Sequence, residues 1–199
     1  MAEAAFDDLP RFSTQAAFLE WEARQPLKYE WMGGRPVAMV GGTRAHSLII
    51  TNLAAALRQR LRGSGCRPMV DTPRLAAPDG FVYHPDVLVT CGEGDPRATT
   101  LADPVLIVEV LSAETSGLDH AQKWLSYQQI AALRHYVMVW QGQARVEAYD
   151  RTGDGWHYRL LGGMEAALPL GGVGLELPLA EVYEDVAFPP PEVEPPSGD

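Results

Sequence analysis

Residues 105–111 read Val105-Leu106-Ile107-Val108-Glu109-Val110-Leu111. Apolar residues fill both alternating faces of this run, the pattern of a central strand buried on each side of a sheet. The one carboxylate in it is out of place. An ionised group removed from water without a partner is costly enough that it neutralises, pairs or binds a cation. Glu109 therefore needs a partner, and the rest of the chain is read for groups that could supply one.

The segment just before it, residues 81–90 (FVYHPDVLVT), reads as a neighbouring strand with Val82, His84, Asp86 and Leu88 on one face and Val87 and Val89 on the other. A second carboxylate at Asp86 then suits a hard cation, because Mg²⁺ takes oxygen ligands and keeps several of its waters. The structural alternative is a Pro85-Asp86 turn with no ligand role. Beyond Glu109, a helix over about 118–130 with Asp119 as N-cap carries Lys123. Its ammonium can reach toward the sheet and orient or help deprotonate a water, or simply pair with Asp119 at i,i+4.

Working outward, residues 13–25 have helical spacing behind Ser13 and Thr14. Residues 28–40 read as a hairpin turning at Gly33-Gly34, with Glu30 on its first strand. Glu30 is a further carboxylate for the site or an exposed strand residue. Residues 45–62 form the most regular amphipathic helix, stopped by Gly63, with His46 at its start. His46 can touch phosphate, shuttle a proton or cap the helix. Further strands are expected at 66–71, 104–112, 135–140, 145–150 and 156–161, and residues 91–103 read as a polar loop. His120, His135 and His157 lack metal-ligand spacing and read as structural.

Strands flanked by helices place the chain in the α/β (α+β) class, with a mixed central sheet, an N-terminal helix and a hairpin. A length of 199 residues suits one domain, taken as 1–188, and the proline-rich acidic segment 189–199 reads as a disordered tail. No long apolar span or signal-like start is present, so a cytoplasmic location and no membrane partner are expected. Cys66 and Cys91 lack the spacing or density of a zinc site or disulfide scaffold and read as small buried or edge residues. The formal charge of −10 argues against a general basic nucleic-acid binder. A nuclease needs only a local basic rim, which Arg58, Arg60, Arg62 and Arg67 could supply unless they are an ordinary solvated helix end.

With these residues in place, the chain resembles the bacterial Uma family of restriction endonucleases, within the PD-(D/E)XK superfamily. The resemblance runs from about Phe12 to Trp156. It is carried by Tyr29-Glu30, His46, Tyr83-His84-Pro85-Asp86-Val87, Ile107 to Ser112, and Asp119 with Lys123 and Tyr127. It implies a restriction-endonuclease-like fold and an endonuclease acting on DNA with Mg²⁺ or Mn²⁺ held by Asp86 and Glu109. Lys123 would be catalytic, Glu30 would assist, and a homodimer would cut both strands. The superfamily lysine normally follows the Glu by two residues, where this chain has Leu111, so the resemblance implies a lysine transferred to the helix. The contrasting expectation is a non-catalytic binding or assembly module on the same scaffold.

Overall fold

The computed structural model describes residues 9–39, 41–70, 73–112, 117–153 and 155–189. Most of the proline-rich segment read as a disordered tail, and the side chain of Asp119 read as an N-cap, lie outside what it describes. The fold is mixed α+β, a six-stranded mixed sheet with helices packed against it.

Helix α1 (Gln15–Glu22) starts at Thr14, whose side chain accepts the Ala17 N–H. It leads into the hairpin β1 (Tyr29–Glu30) and β2 (Val37–Ala38). Their connection is six residues, not two, because Trp31 and Gly34 are used elsewhere: Trp31 bridges to Val82 and Gly34 to Phe12. Both Gly33 and Gly34 hold positive φ, which is why two glycines stand there.

Helix α2 (Arg44–Arg60) is capped by the Thr43 side chain and buries Ile49, Leu53, Ala56 and Leu57 against the sheet. The sheet runs β11-β10-β9-β8-β6-β3, from β3 (Cys66–Val70), β6 (Val87–Cys91), β8 (Leu106–Leu111), β9 (His135–Trp140), β10 (Arg145–Thr152) and β11 (Gly155–Gly162). Within this sheet only β8 and β9 pair in parallel, and α3 (Gly117–Tyr127) makes the crossover between them. All six residues of β8 are buried, as its sequence requires of a central strand. Val87, Val89, Leu106, Val108 and Val110 face the α2 side. Ile107 and Leu111 face α3 with Tyr127, Tyr136 and Met138.

The expected strand 81–90 is divided. Val82–Tyr83 (β5) joins a small sheet with β4 (Arg74–Ala76) and β7 (Thr100–Leu101), while the chain enters the main sheet only at Val87. Pro85 has no N–H to give a ladder, so His84, Pro85 and Asp86 form the break, and the alternation of faces does not run through it. The expected loop 91–103 contains β7, which pairs in parallel with β4. Cys66 and Cys91 stand directly opposite each other on β3 and β6 and form a disulfide, a pairing that only the register brings about.

The C-terminal hairpin β12 (Ala167–Leu170) and β13 (Leu175–Pro178), with α4 (Leu179–Val182), closes the α2 side. A buried polar cluster ties it to the sheet. Asp150 accepts from His135 Nδ1 at 2.6 Å and pairs with Arg159, while His135 Nε2 accepts the Gly172 N–H at 2.8 Å. Among the described residues, no helix is long and apolar enough to cross a membrane.

Candidate active site

The antiparallel register of β6 and β8 sets Val87 against Val108, so the next position outward sets Asp86 against Glu109. The two backbones part at that point, and a side chain takes over the ladder: the Val110 N–H donates to Asp86 Oδ2 at 2.7 Å. The break at Pro85 thus leaves two carboxylates side by side at the end of the strand pair.

Glu109 is buried on the α3 side. Tyr127 Oη donates to its Oε1 at 2.8 Å, and Lys123 Nζ lies 3.4 Å from the same oxygen. Lys123 also lies 3.0 Å from Glu30 Oε1, so one ammonium links a carboxylate from the hairpin with one from the central strand. Glu30 is held in turn by the His84 N–H at 3.0 Å, the donor freed by the break. The ring of Tyr83 lies under the Lys123 ammonium, and Tyr83 shares a 2.7 Å hydrogen bond with Ser126, which donates to Asp79. These hydroxyls fix the rotation of α3 and with it the direction of Lys123. Asp86, Glu109, Lys123 and Glu30 are thus brought together from four parts of the chain.

His46 joins them. The helix cap is Thr43, and the imidazole Nε2 is 3.2 Å from Asp86 Oδ1. The close turn at Gly42 makes room for it, since a Cβ there would lie 2.5 Å from His46 Nδ1. That bond to Asp86, followed by charge attraction and against partial burial, raises the His46 pKa.

Electrostatics follow from crowding. Burial drives the Glu109 pKa up to about 8, with Asp86 and Glu30 pushing the same way and Lys123 and Tyr127 opposing. Its three carboxyl groups, Glu30, Asp86 and Glu109, outnumber the basic partners Lys123 and His46. Such an excess of carboxylate oxygens suits a hard divalent cation in donor type. Among the described residues no three His, Cys, Asp or Glu side chains are gathered as a ready-made metal cluster. Two carboxylates and retained waters are the set these residues offer.

Sequence reasoning missed the backbone donors of His84 and Val110 and the hydroxyls of Tyr83 and Ser126. Tyr127 and Ser126 stand four and three residues after Lys123, a spacing that marks the same helix face. It missed as well a second buried cluster, in which Glu22 pairs with Arg74 and lies 3.2 Å from His84 Nε2, fastening α1 against β4 and the strand break. The arginine rim is placed elsewhere: Arg58, Arg60 and Arg62 are at the far end of α2, about 18 Å from His46 to Arg58 at 1.5 Å per residue. Arg60 is held there by Glu181 at 2.7 Å, and Arg67 donates to the Gly92 carbonyl.

A model of the Uma2 family, described as "Putative restriction endonuclease", matches residues 15–180. Among curated proteins, the uncharacterized protein slr1290 of Synechocystis sp. is 30% identical over 181 residues, 90% of this chain and 95% of that one. A second from the same organism, sll1609, is 30% identical over 145 residues, 71% of this chain and 82% of that one. Among solved structures, one titled as a putative nuclease belonging to DUF820 from Anabaena variabilis superposes with a TM-score of 0.72. It has 16% identity, and the match covers 85% of this chain and 97% of that one, a likeness of fold.

Proposed function

Because this chain belongs to the Uma2 family, we propose that it is a metal-dependent endonuclease that hydrolyses phosphodiester bonds in DNA and acts as a homodimer. The observation that carries the reading is the meeting of Asp86 and Glu109 at the parting of β6 and β8, with Lys123 set between Glu109 and Glu30. Outside a site for a cation, this excess of buried carboxylate is a cost to folding with no return.

Asp86 and Glu109 are the residues that would hold Mg²⁺ or Mn²⁺, which supplies a water of lowered pKa and neutralises charge on the phosphate. The chain's own groups do the rest. The Val110 N–H and Tyr127 Oη fix the two carboxylates, so little reorganisation is needed when a ligand arrives. Lys123, steered by Glu30 and the Tyr83 ring, orients the attacking water and balances charge on the nonbridging oxygens. Glu30 keeps the ammonium in place, and His46 at the rim, bonded to Asp86, is placed for proton transfer to a leaving oxygen.

Calorimetric titration of Mg²⁺ and Mn²⁺ into wild-type protein and Glu109→Ala, with plasmid nicking by the same samples, tests the reading. Metal binding and nicking are expected in the wild type and lost in the variant. No metal binding by the wild type would remove the catalytic reading. It would leave the alternative of a non-catalytic binding or assembly module, which draws on Lys123 and His46 already lying against the carboxylates.

A further inference from the structure

Helix α2 stands apart from the rest of the molecule in charge. The chain has 26 acidic against 16 basic residues, yet residues 44–60, RAHSLIITNLAAALRQR, contain no Asp or Glu. Its solvent side is a stripe at helical spacing: Arg44, Ser47, Thr51, Ala55, Arg58 and, just past the end, Arg62 are all exposed. Small side chains occupy the middle, so the stripe is smooth as well as free of negative charge. At one end the same helix carries His46, which bonds Asp86. At the other it opens on a cleft of about 270 Å³ lined by Arg58, Arg62 and Arg67 with the Gly63 and Gly65 backbones, and no carboxylate lines that cleft.

Neither Arg58 nor Arg62 has a partner among the described residues, and Arg67 makes bonds only to backbone carbonyls there. The flanking acid of α4, Glu181, is neutralised by Arg60, and Glu184 comes to Asn52 through its carbonyl. A helix C-terminus alone accounts for one or two basic residues. It does not account for three guanidiniums about a cleft, or for a whole helix without acid.

We infer that the exposed stripe of α2 is a track for the phosphate backbone of duplex DNA, with Arg58, Arg62 and Arg67 as its distal anchor. The span of about 18 Å from His46 to Arg58 equals roughly five base-pair rises, so the anchor grips the duplex away from the bond cut at Asp86 and Glu109. Charge complementarity selects the occupant: on a chain of net charge −10, a polyanion finds here a helix without Asp or Glu that ends at three arginines. This rests on the reading of the site as a DNA nuclease for its substrate, but binding and cleavage separate in the test.

Binding of a labelled duplex about two helical turns long is measured against salt in metal-free buffer. The proteins are the full wild-type chain, the triple variant Arg58→Gln/Arg62→Gln/Arg67→Gln, and Thr51→Glu. A charge-matched control, Arg24→Gln/Arg97→Gln/Arg134→Gln, changes exposed arginines away from α2. All the changes are on the surface, and thermal melts check folding. The triple variant is expected to bind about 10- to 100-fold more weakly and to lower the salt slope by about two to three, while Thr51→Glu weakens binding without touching an arginine. The control stays within about threefold of wild type. Equal losses in control and triple variant, an unchanged Thr51→Glu, or no duplex binding by the wild type would each overturn the track. Nicking assays with added Mg²⁺ test the site separately: α2-dependent binding with no nicking keeps the track and removes the catalytic reading, and nicking that ignores the triple variant does the reverse.

Discussion

Two buried polar clusters lie against the main sheet, and they differ in how their acidic and basic groups match. In the cluster beneath the C-terminal hairpin, Asp150 is matched by Arg159, and both nitrogens of His135 are used, one toward Asp150 and one by the Gly172 N–H. Burial lowers the His135 pKa, so the ring stays neutral and the cluster closes on itself. In the other, Glu30, Asp86 and Glu109 face Lys123 and a half-buried His46, and Glu109 is driven up to about 8. Burial of charge is common to both. An excess of carboxyl over basic groups belongs to one, and with the strongly raised Glu109 it is the better sign of a candidate functional site.

The largest expected effect comes from neutralising the unbalanced cluster. Glu109→Gln keeps the shape and is expected to lower plasmid nicking by about 10³-fold or more without loss of thermal stability. A variant that nicks like wild type would place the chemistry elsewhere. The same change in the balanced cluster should do the opposite. Asp150→Asn leaves Arg159 without its counter-charge and is expected to cost about 3 kcal/mol in chemical denaturation while leaving metal binding intact. Equal stability losses in the two variants would erase the distinction.

The pH dependence sharpens it further. The Glu109 pKa is raised on folding, so the stability it contributes is fully present below about 4.5 and is lost as pH rises through about 8. Glu109→Gln should therefore gain on wild type across that window, by up to about 1.4 kcal/mol per pH unit. Melting temperatures measured at intervals from pH 5 to 9 would show the two curves diverging. Parallel curves would mean that Lys123 keeps Glu109 ionised throughout. The smallest effect is that of Tyr127→Phe, which removes one buried hydrogen bond to Glu109. It is expected to cost about 1 kcal/mol of stability and to weaken metal affinity about tenfold in calorimetry.

The buried strand with Glu109, the three longer helices and most of the sheet were legible in the sequence, because the pattern of each of these elements is local. Lys123 was legible from its place on the helix after the two carboxylates, but nothing near it in sequence says that Glu30 will lie 3.0 Å away. Where periodicity failed, backbone chemistry had overruled it. Pro85 split an otherwise uniform strand, and Trp31 and Gly34 were drawn into bridges with Val82 and Phe12 and lengthened the hairpin connection. The disulfide and the position of the arginines depend on register and helix length, which composition cannot reveal. Charge read over the whole chain also concealed a helix of opposite character.

Lys123 closes on Glu30, a residue of the first hairpin, and Glu30 is held by a backbone donor 54 positions further on. A ribosome releases these parts in order, so a growing chain carries its hairpin, then Asp86, then Glu109, each without the next. Only when α3 has emerged and folded back does the ammonium meet both carboxylates, and until then no truncated product holds the complete cluster. On the nuclease reading, premature termination anywhere before α3 therefore yields fragments that cannot cut the genome of the cell that makes them.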